Sequence, residues 1–172
     1  MIRRAVKAAG FTVLIVVIAL LLINAFPSVT GADYSYIVQS GSMEPAIPTG
    51  SIVFVKDVPA ENIQEGDVIT YAESRGAPST THRVIQKFDE GAGIRFQTKG
   101  DANEDPDPEP VYRDEIVGVV IFSVPYLGYL VAFASTRVGW VAFVVIPVVA
   151  LIASELWELY QALEPVEEEN HE

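Results

Sequence analysis

The sequence predicts a mainly β protein. It reads as a small antiparallel, partly barrel-like domain with an N-terminal transmembrane helix and a second transmembrane helix near the C-terminus. Three observations lead there. Long uncharged stretches bracket the chain, at residues 8–26 and 138–154. Six short runs rich in β-branched and aromatic residues lie between them. Clusters of Gly, Pro, Asp and Thr separate these runs.

Residues 8–26 carry no charge over 19 positions. As a helix they would reach roughly 28 Å, close to the hydrocarbon thickness of a bilayer. Arg3, Arg4 and Lys7 precede them, and such a basic flank stays cytoplasmic and sends the following chain outward. A cleavable secretory leader has the same start, with Thr30-Gly31-Ala32 as its small-residue site. The apolar run is longer than a leader's core, so a retained anchor is expected.

The six strand candidates are residues 34–38, 51–56, 67–71, 80–88, 94–98 and 115–123. The turns between them include Pro48-Thr49-Gly50, Glu65-Gly66-Asp67, Gly76-Ala77-Pro78 and Gly91-Ala92-Gly93. No useful helical period appears between residues 30 and 120. Pro125 and Gly128 break the second apolar region. Residues 138–154 then make 17 uncharged positions with Pro147 inside, which a membrane helix tolerates. Tyr126, Tyr129 and Trp140 are candidates for the membrane interface. A buried soluble helix is the alternative for this segment. The expected organisation is an anchor over residues 1–28, an all-β domain over 29–124, an interfacial segment and second span over 125–157, and an acidic tail over 158–172.

Composition narrows the function. Half of the 172 residues are hydrophobic, ordinary for a membrane-anchored chain. There is no cysteine, which excludes disulfides, thiolate metal sites and a thiol nucleophile. A net charge of −12 argues against nucleic acid as a partner.

Three polar pieces carry chemistry. Ser40-Gly41-Ser42-Met43-Glu44-Pro45 supplies hydroxyls, Thr81-His82-Arg83-Val84 an imidazole, and Lys99-Gly100-Asp101 running on to Asp105, Pro106 and Asp107 supplies carboxylates. These are the parts of an acyl-transfer site. Of the two histidines only His82 lies in the folded domain; His171 sits in the acidic tail. The loop Asp101-Ala102-Asn103-Glu104-Asp105 opens like a calcium loop, but Pro106 and Tyr112 stand where such a loop needs Gly and Glu. No second His or any Cys is at hand for zinc, so neither a metal nor another cofactor is expected. Lys56, Lys87 and Lys99 are rival bases for a Ser–Lys arrangement.

In order and wording these boxes resemble signal peptidase I, specifically the archaeal and endoplasmic-reticulum branch, which carries His where the bacterial branch carries Lys. The resemblance runs over roughly residues 36–128. It implies a coiled all-β catalytic fold and a serine endopeptidase that removes signal peptides from secreted preproteins. It selects Ser42, which precedes Met43, as nucleophile, and His82 as general base. It places the family's two aspartates at Asp101 and Asp107; Asp107 is expected to orient His82 and Asp101 to support the site. Asn103 fits the family pattern, whereas Ala102 departs from its usual Asn. Ser40 and backbone N–H groups near Ser42 are expected around the oxyanion. The implied partners are preprotein signal peptides, the lipid bilayer and the secretory translocon, with the catalytic domain on the extracytoplasmic face of the cell membrane. Residues 36–38 and 52–55 are candidate walls for an extended substrate. Two other functions fit parts of the sequence: an anchored β-domain that only binds, and a related regulatory membrane protease.

Overall fold

The computed structural model describes residues 10–12, 14–20, 22, 26–72, 79–89 and 93–163. The basic flank, His171 and the two glycine turns at 76–78 and 91–92 lie outside the described residues. The chain divides into two compact units, one spanning Leu21–Ala132 and the other formed by the segments before and after it.

The first unit is built on one antiparallel sheet of seven strands. These are β1 (Tyr34–Ile37), β2 (Ile52–Lys56), β3 (Val68–Tyr71), β4 (Thr80–Asp89), β5 (Ile94–Lys99), β6 (Val111–Tyr112) and β7 (Ile116–Val124). Their spatial order is β1-β2-β7-β3-β4-β5-β6. The six strands expected from the sequence are present to within a residue at most ends. The seventh, β6, has only two residues and pairs through Arg95 with Tyr112 and Phe96 with Val111. Register breaks at Phe54/Val55, Thr70/Tyr71 and Val84/Gln86 increase local twist and curl the sheet into a half-barrel.

Side-chain alternation explains the core. On β5, Ile94, Phe96 and Thr98 are buried while Arg95, Gln97 and Lys99 are half-buried, the period of two expected of a half-covered strand. Ile94 and Phe96 join Ile63, Ile69, Val84 and Val111 in one apolar cluster. Met43, Ile47, Val53 and Val55 form another. β2 departs from alternation, because Ile52, Val53, Phe54 and Val55 are all fully buried. It lies between β1 and β7 and is covered on both faces, with Phe54 stacked on Phe122 at 4.4 Å between ring centres. The expectation that residues 52–55 would wall a substrate site is therefore corrected: their side chains are core.

After β7, Tyr126 adopts a positive φ of 60° and the chain turns into α1 (Leu127–Ala134). Gly128, the second residue of this helix, does not interrupt it. A Cβ there would come within 2.6 Å of the Gly50 carbonyl oxygen, which instead accepts the Gly128 N–H at 2.8 Å.

In the second unit, α2 (Arg137–Trp140) is capped by the Thr136 hydroxyl, which accepts from Gly139 N at 3.0 Å. A π-helical turn, Val141–Val145, leads into α3 (Ile146–Leu163). The wide turn sits just before Pro147, whose missing N–H and bulky ring forbid the regular hydrogen bond. Together Arg137–Gln161 form a 25-residue helix whose most apolar 18-residue window has a mean hydropathy of 2.2 and is 6% buried. α3 continues past residue 157, where the acidic tail was expected to begin. Near the N-terminus, the described residues within Gly10–Leu20 form a shorter apolar helix.

Candidate active site

The site is assembled on β4 and the two loops beside it. Alternation on β4 turns His82 and Val84 inward, and His82 retains 8% exposure. Its register partner on β3 is Ile69. Arg83, one residue on, faces the other way.

The imidazole is engaged on both sides. His82 Nδ1 lies 2.7 Å from Asp107 Oδ2 and Nε2 lies 3.1 Å from Ser42 Oγ. Residues 40 and 25 positions apart in sequence thus meet at one ring. Ser40 Oγ is 3.3 Å from Ser42 Oγ. Asp101 does not reach the imidazole. It takes a forked pair from Arg83, Nε to Oδ1 at 2.8 Å and Nη2 to Oδ2 at 2.6 Å, while Arg83 Nη1 donates to the Gly66 carbonyl at 2.9 Å. Such bidentate pairs fix geometry as well as charge. The Asp101 carboxylate raises the Arg83 pKa against the opposing effect of burial.

Both loops are locked by their backbones. Met43 is buried with Val53 and Val55, which holds the residue next to Ser42 in the core. Ala102 N donates to Ser42 O at 2.9 Å. Gly100 permits that approach, since a Cβ there would stand 2.6 Å from the same oxygen. Glu44 Oε1 accepts from Thr49 N and Thr49 Oγ1 at 3.3 and 3.0 Å and braces the serine loop from behind. Asp107 N donates to Thr98 O at 2.8 Å, and Gln97 Nε2 donates to Asp107 O at 2.5 Å.

The Asp107 carboxylate accepts more than the imidazole. Thr98 Oγ1 donates to Oδ2 at 2.6 Å and Tyr71 OH donates to the same oxygen at 3.2 Å. Burial pushes the Asp107 pKa up, but the donors from Thr98, His82 and Tyr71 and the His82 charge outweigh it, so the net shift is downward. Burial raises the Tyr71 phenol to about 12; the Thr98 hydroxyl opposes the rise, and the adjacent Asp107 charge adds to it. Tyr71 therefore stays a protonated donor.

The lysines lie elsewhere. Lys99 Nζ donates to Glu104 O at 2.8 Å. Lys87 Nζ donates to the Glu61 and Ile63 carbonyls at 2.7 and 3.0 Å. Lys56 is on β2 opposite Val119. Among the described residues no group of three His, Cys, Asp or Glu side chains is arranged to hold a metal ion.

A groove of about 760 Å³ opens at Ser42. One wall is residues 35–40, the other residues 79–82, with Met43 between them. β1 is a sheet edge, and the β4–β5 register begins only at Arg83. Both walls therefore present strand edges to the groove.

Tyr71, Thr98 and Gln97 were not singled out from sequence. A signal existed for Thr98: it continues the buried row Ile94, Phe96, Thr98, and a buried hydroxyl needs a partner. Tyr71 ends a short β run and reads there as an ordinary packed aromatic.

Comparison with known proteins converges on one group. The Peptidase S24-like family matches residues 15–121. Signal peptidase I W of Bacillus subtilis strain 168 is 35% identical over 109 residues, covering 60% of this chain and 56% of that protein. The chain thus aligns with little more than half of the Bacillus relative. The signal peptidase complex catalytic subunit SEC11 of Verticillium alfalfae is 30% identical over 125 residues, and that of Colletotrichum graminicola 32% over 127 residues. Both alignments cover 67% of this chain and 72% of the relative.

Proposed function

The chain belongs to the Peptidase S24-like family, among the signal peptidases, and from that premise we propose that Ser42, His82 and Asp107 are its nucleophile, general base and orienting carboxylate in the removal of signal peptides from preproteins. The observation that carries this reading is one imidazole ring bonded at opposite nitrogens to a hydroxyl and a carboxylate. With Nδ1–H donating a hydrogen bond to Asp107, the Nε2 lone pair faces the Ser42 hydroxyl.

The steps follow from that tautomer. Ser42 Oγ attacks the carbonyl carbon of the scissile bond as its proton passes to His82 Nε2. Asp107 stabilises the imidazolium, and the Ser40 hydroxyl together with backbone N–H groups near Ser42 stabilises the oxyanion. The imidazolium then protonates the leaving amine, and water resolves the acyl-enzyme by the same route. Asp101 contributes through Arg83, fixing the start of the loop that ends in Asp107.

The substrate lies as an added strand in the groove, its main chain bonding to the edges at residues 35–40 and 79–82. The apolar helix Arg137–Gln161, about 38 Å long at 1.5 Å per residue, crosses the bilayer and, with the N-terminal apolar segment, anchors the domain. The basic flank ahead of that segment puts the β domain on the extracytoplasmic face of the cell membrane. Sharing a bilayer with the signal peptide raises the effective concentration of substrate.

The test is cleavage of a model preprotein by the full chain in lipid vesicles, with the cut site read from product masses. Ser42→Ala should abolish cleavage with its fold unchanged by circular dichroism. Undiminished cleavage by Ser42→Ala, or an intact preprotein after incubation with wild type, would refute the assignment.

A further inference from the structure

His82 lies on β4, and β4 runs between β3 and β5. Each flanking strand sends one hydroxyl to a single oxygen of Asp107: Thr98 from β5 at 2.6 Å and Tyr71 from β3 at 3.2 Å. That same oxygen accepts from His82 Nδ1. Asp107 itself is on no strand. It sits in the connection from β5 to β6, and the backbone bonds of its residue both go to β5, through Thr98 O and Gln97 Nε2. Without Tyr71, the carboxylate would be held, apart from the imidazole itself, by β5 alone.

We propose that Tyr71 is a positioning residue for the proteolytic reaction: with Thr98 it forms a two-strand hydroxyl clamp that centres Asp107 Oδ2 over His82. The inference rests on the catalytic reading of Ser42, His82 and Asp107. Three fixed donors converging on one oxygen leave it little freedom to rotate away from the ring. The Tyr71 ring also meets His82 edge-on, 6.4 Å between centres at 67°, so it limits the imidazole as well as the carboxylate. Of the other charged groups nearby, Arg83 is occupied by Asp101 and Gly66, and Glu115 acts on Tyr71 only through its charge. Tyr71 is not itself among the residues that line the groove; it meets that lining only through its strand partner Thr80 and the His82 ring. The effect of its hydroxyl must therefore pass through Asp107 and His82.

That route separates the clamp from a merely structural tyrosine. Tyr71→Phe keeps the ring and its edge contact and loses only the hydroxyl. It should lower kcat roughly tenfold with KM unchanged, the scale of losing one hydrogen bond to a charged group. In an Asp107→Asn background the same change should have almost no further effect, because the group it acts through is already altered. The measurement is a double-mutant cycle on full-length protein in vesicles, using preprotein cleavage at saturating and limiting substrate. Thr98→Val completes the cycle from the other strand and should show the same loss of additivity with Asp107→Asn. A tenfold loss for Tyr71→Phe that persists undiminished in Asp107→Asn overturns the clamp, as does wild-type kcat in Tyr71→Phe. Wild-type activity in Asp107→Asn alone is a different failure, since it removes the catalytic reading beneath the inference.

Discussion

The two ends of the hydrogen-bonded relay are built differently. At the carboxylate end, Asp107 Oδ2 accepts from His82, Thr98 and Tyr71, and both backbone polar groups of Asp107 are engaged. At the hydroxyl end, Ser42 Oγ meets His82 Nε2 at 3.1 Å and Ser40 Oγ at 3.3 Å, at the mouth of an open groove. The fold fixes the imidazole and its carboxylate and leaves the Ser42 hydroxyl at an open groove, as the proposed roles require. Orientation of a base must be paid for once, in folding, whereas the attacking oxygen has to move toward its target.

Breaking the ordered end should cost most where the charge itself is lost. Asp107→Asn keeps the shape and removes the anion, and kcat for preprotein cleavage should fall by about 10³–10⁴ with little change in KM. A loss below tenfold would mean that the imidazole needs no carboxylate here. Arg83→Met acts one step further away, by releasing Asp101 and Gly66 from the forked contact. It should reduce stability by about 1 kcal/mol, the scale of a partly exposed ion pair, and activity by less than Asp107→Asn does. Thermal unfolding of the purified variant reads the first and cleavage rate the second; an effect on activity as large as that of Asp107→Asn would contradict a purely bracing role.

The ordered end also carries a pH signature. The Asp107 pKa is held below its ordinary value in the folded protein. Its stabilising contribution is therefore present above the unfolded carboxylate pKa of about 4 and is lost as pH falls through the lower, folded value. Acid unfolding followed by far-ultraviolet circular dichroism should show a shallower loss of stability below pH about 4 in Asp107→Asn than in wild type. Identical acid limbs would indicate that the donors around Oδ2 do not hold the ionised form. At the open end, Ser40→Ala should slow cleavage modestly, by roughly tenfold, if its hydroxyl assists the oxyanion; an unchanged kcat would assign that task to the backbone alone.

The same contrast explains what could be read from the chain beforehand. Local signals sufficed for six strands, because β-branched runs bounded by turn residues specify them. β6 escaped because two residues carry no period. The residues of the relay announced themselves through short boxes, each local in sequence. The clamp did not, because it depends on sheet order: only when β3 and β5 flank β4 do Tyr71 and Thr98 meet at Asp107. Of the two segments expected beside the site, only one lines the groove. Residues 36–38 do line the groove, but 52–55 are sealed by neighbours on both faces of β2, which no run of apolar residues reveals by itself. The long apolar helix was legible by length, while its π turn needed the position of Pro147 in an otherwise continuous helix.

The most direct test of the central claim, that His82 is the base for Ser42, is single-turnover cleavage of a preprotein by the full chain in vesicles, comparing His82→Ala with Lys56→Ala, Lys87→Ala and Lys99→Ala. The account predicts a loss of about 10³-fold or more for His82→Ala and rates within about twofold of wild type for the correctly folded lysine variants, whose side chains lie away from the hydroxyl. Near-normal cleavage by His82→Ala, with activity lost in one of the folded lysine variants, would contradict it.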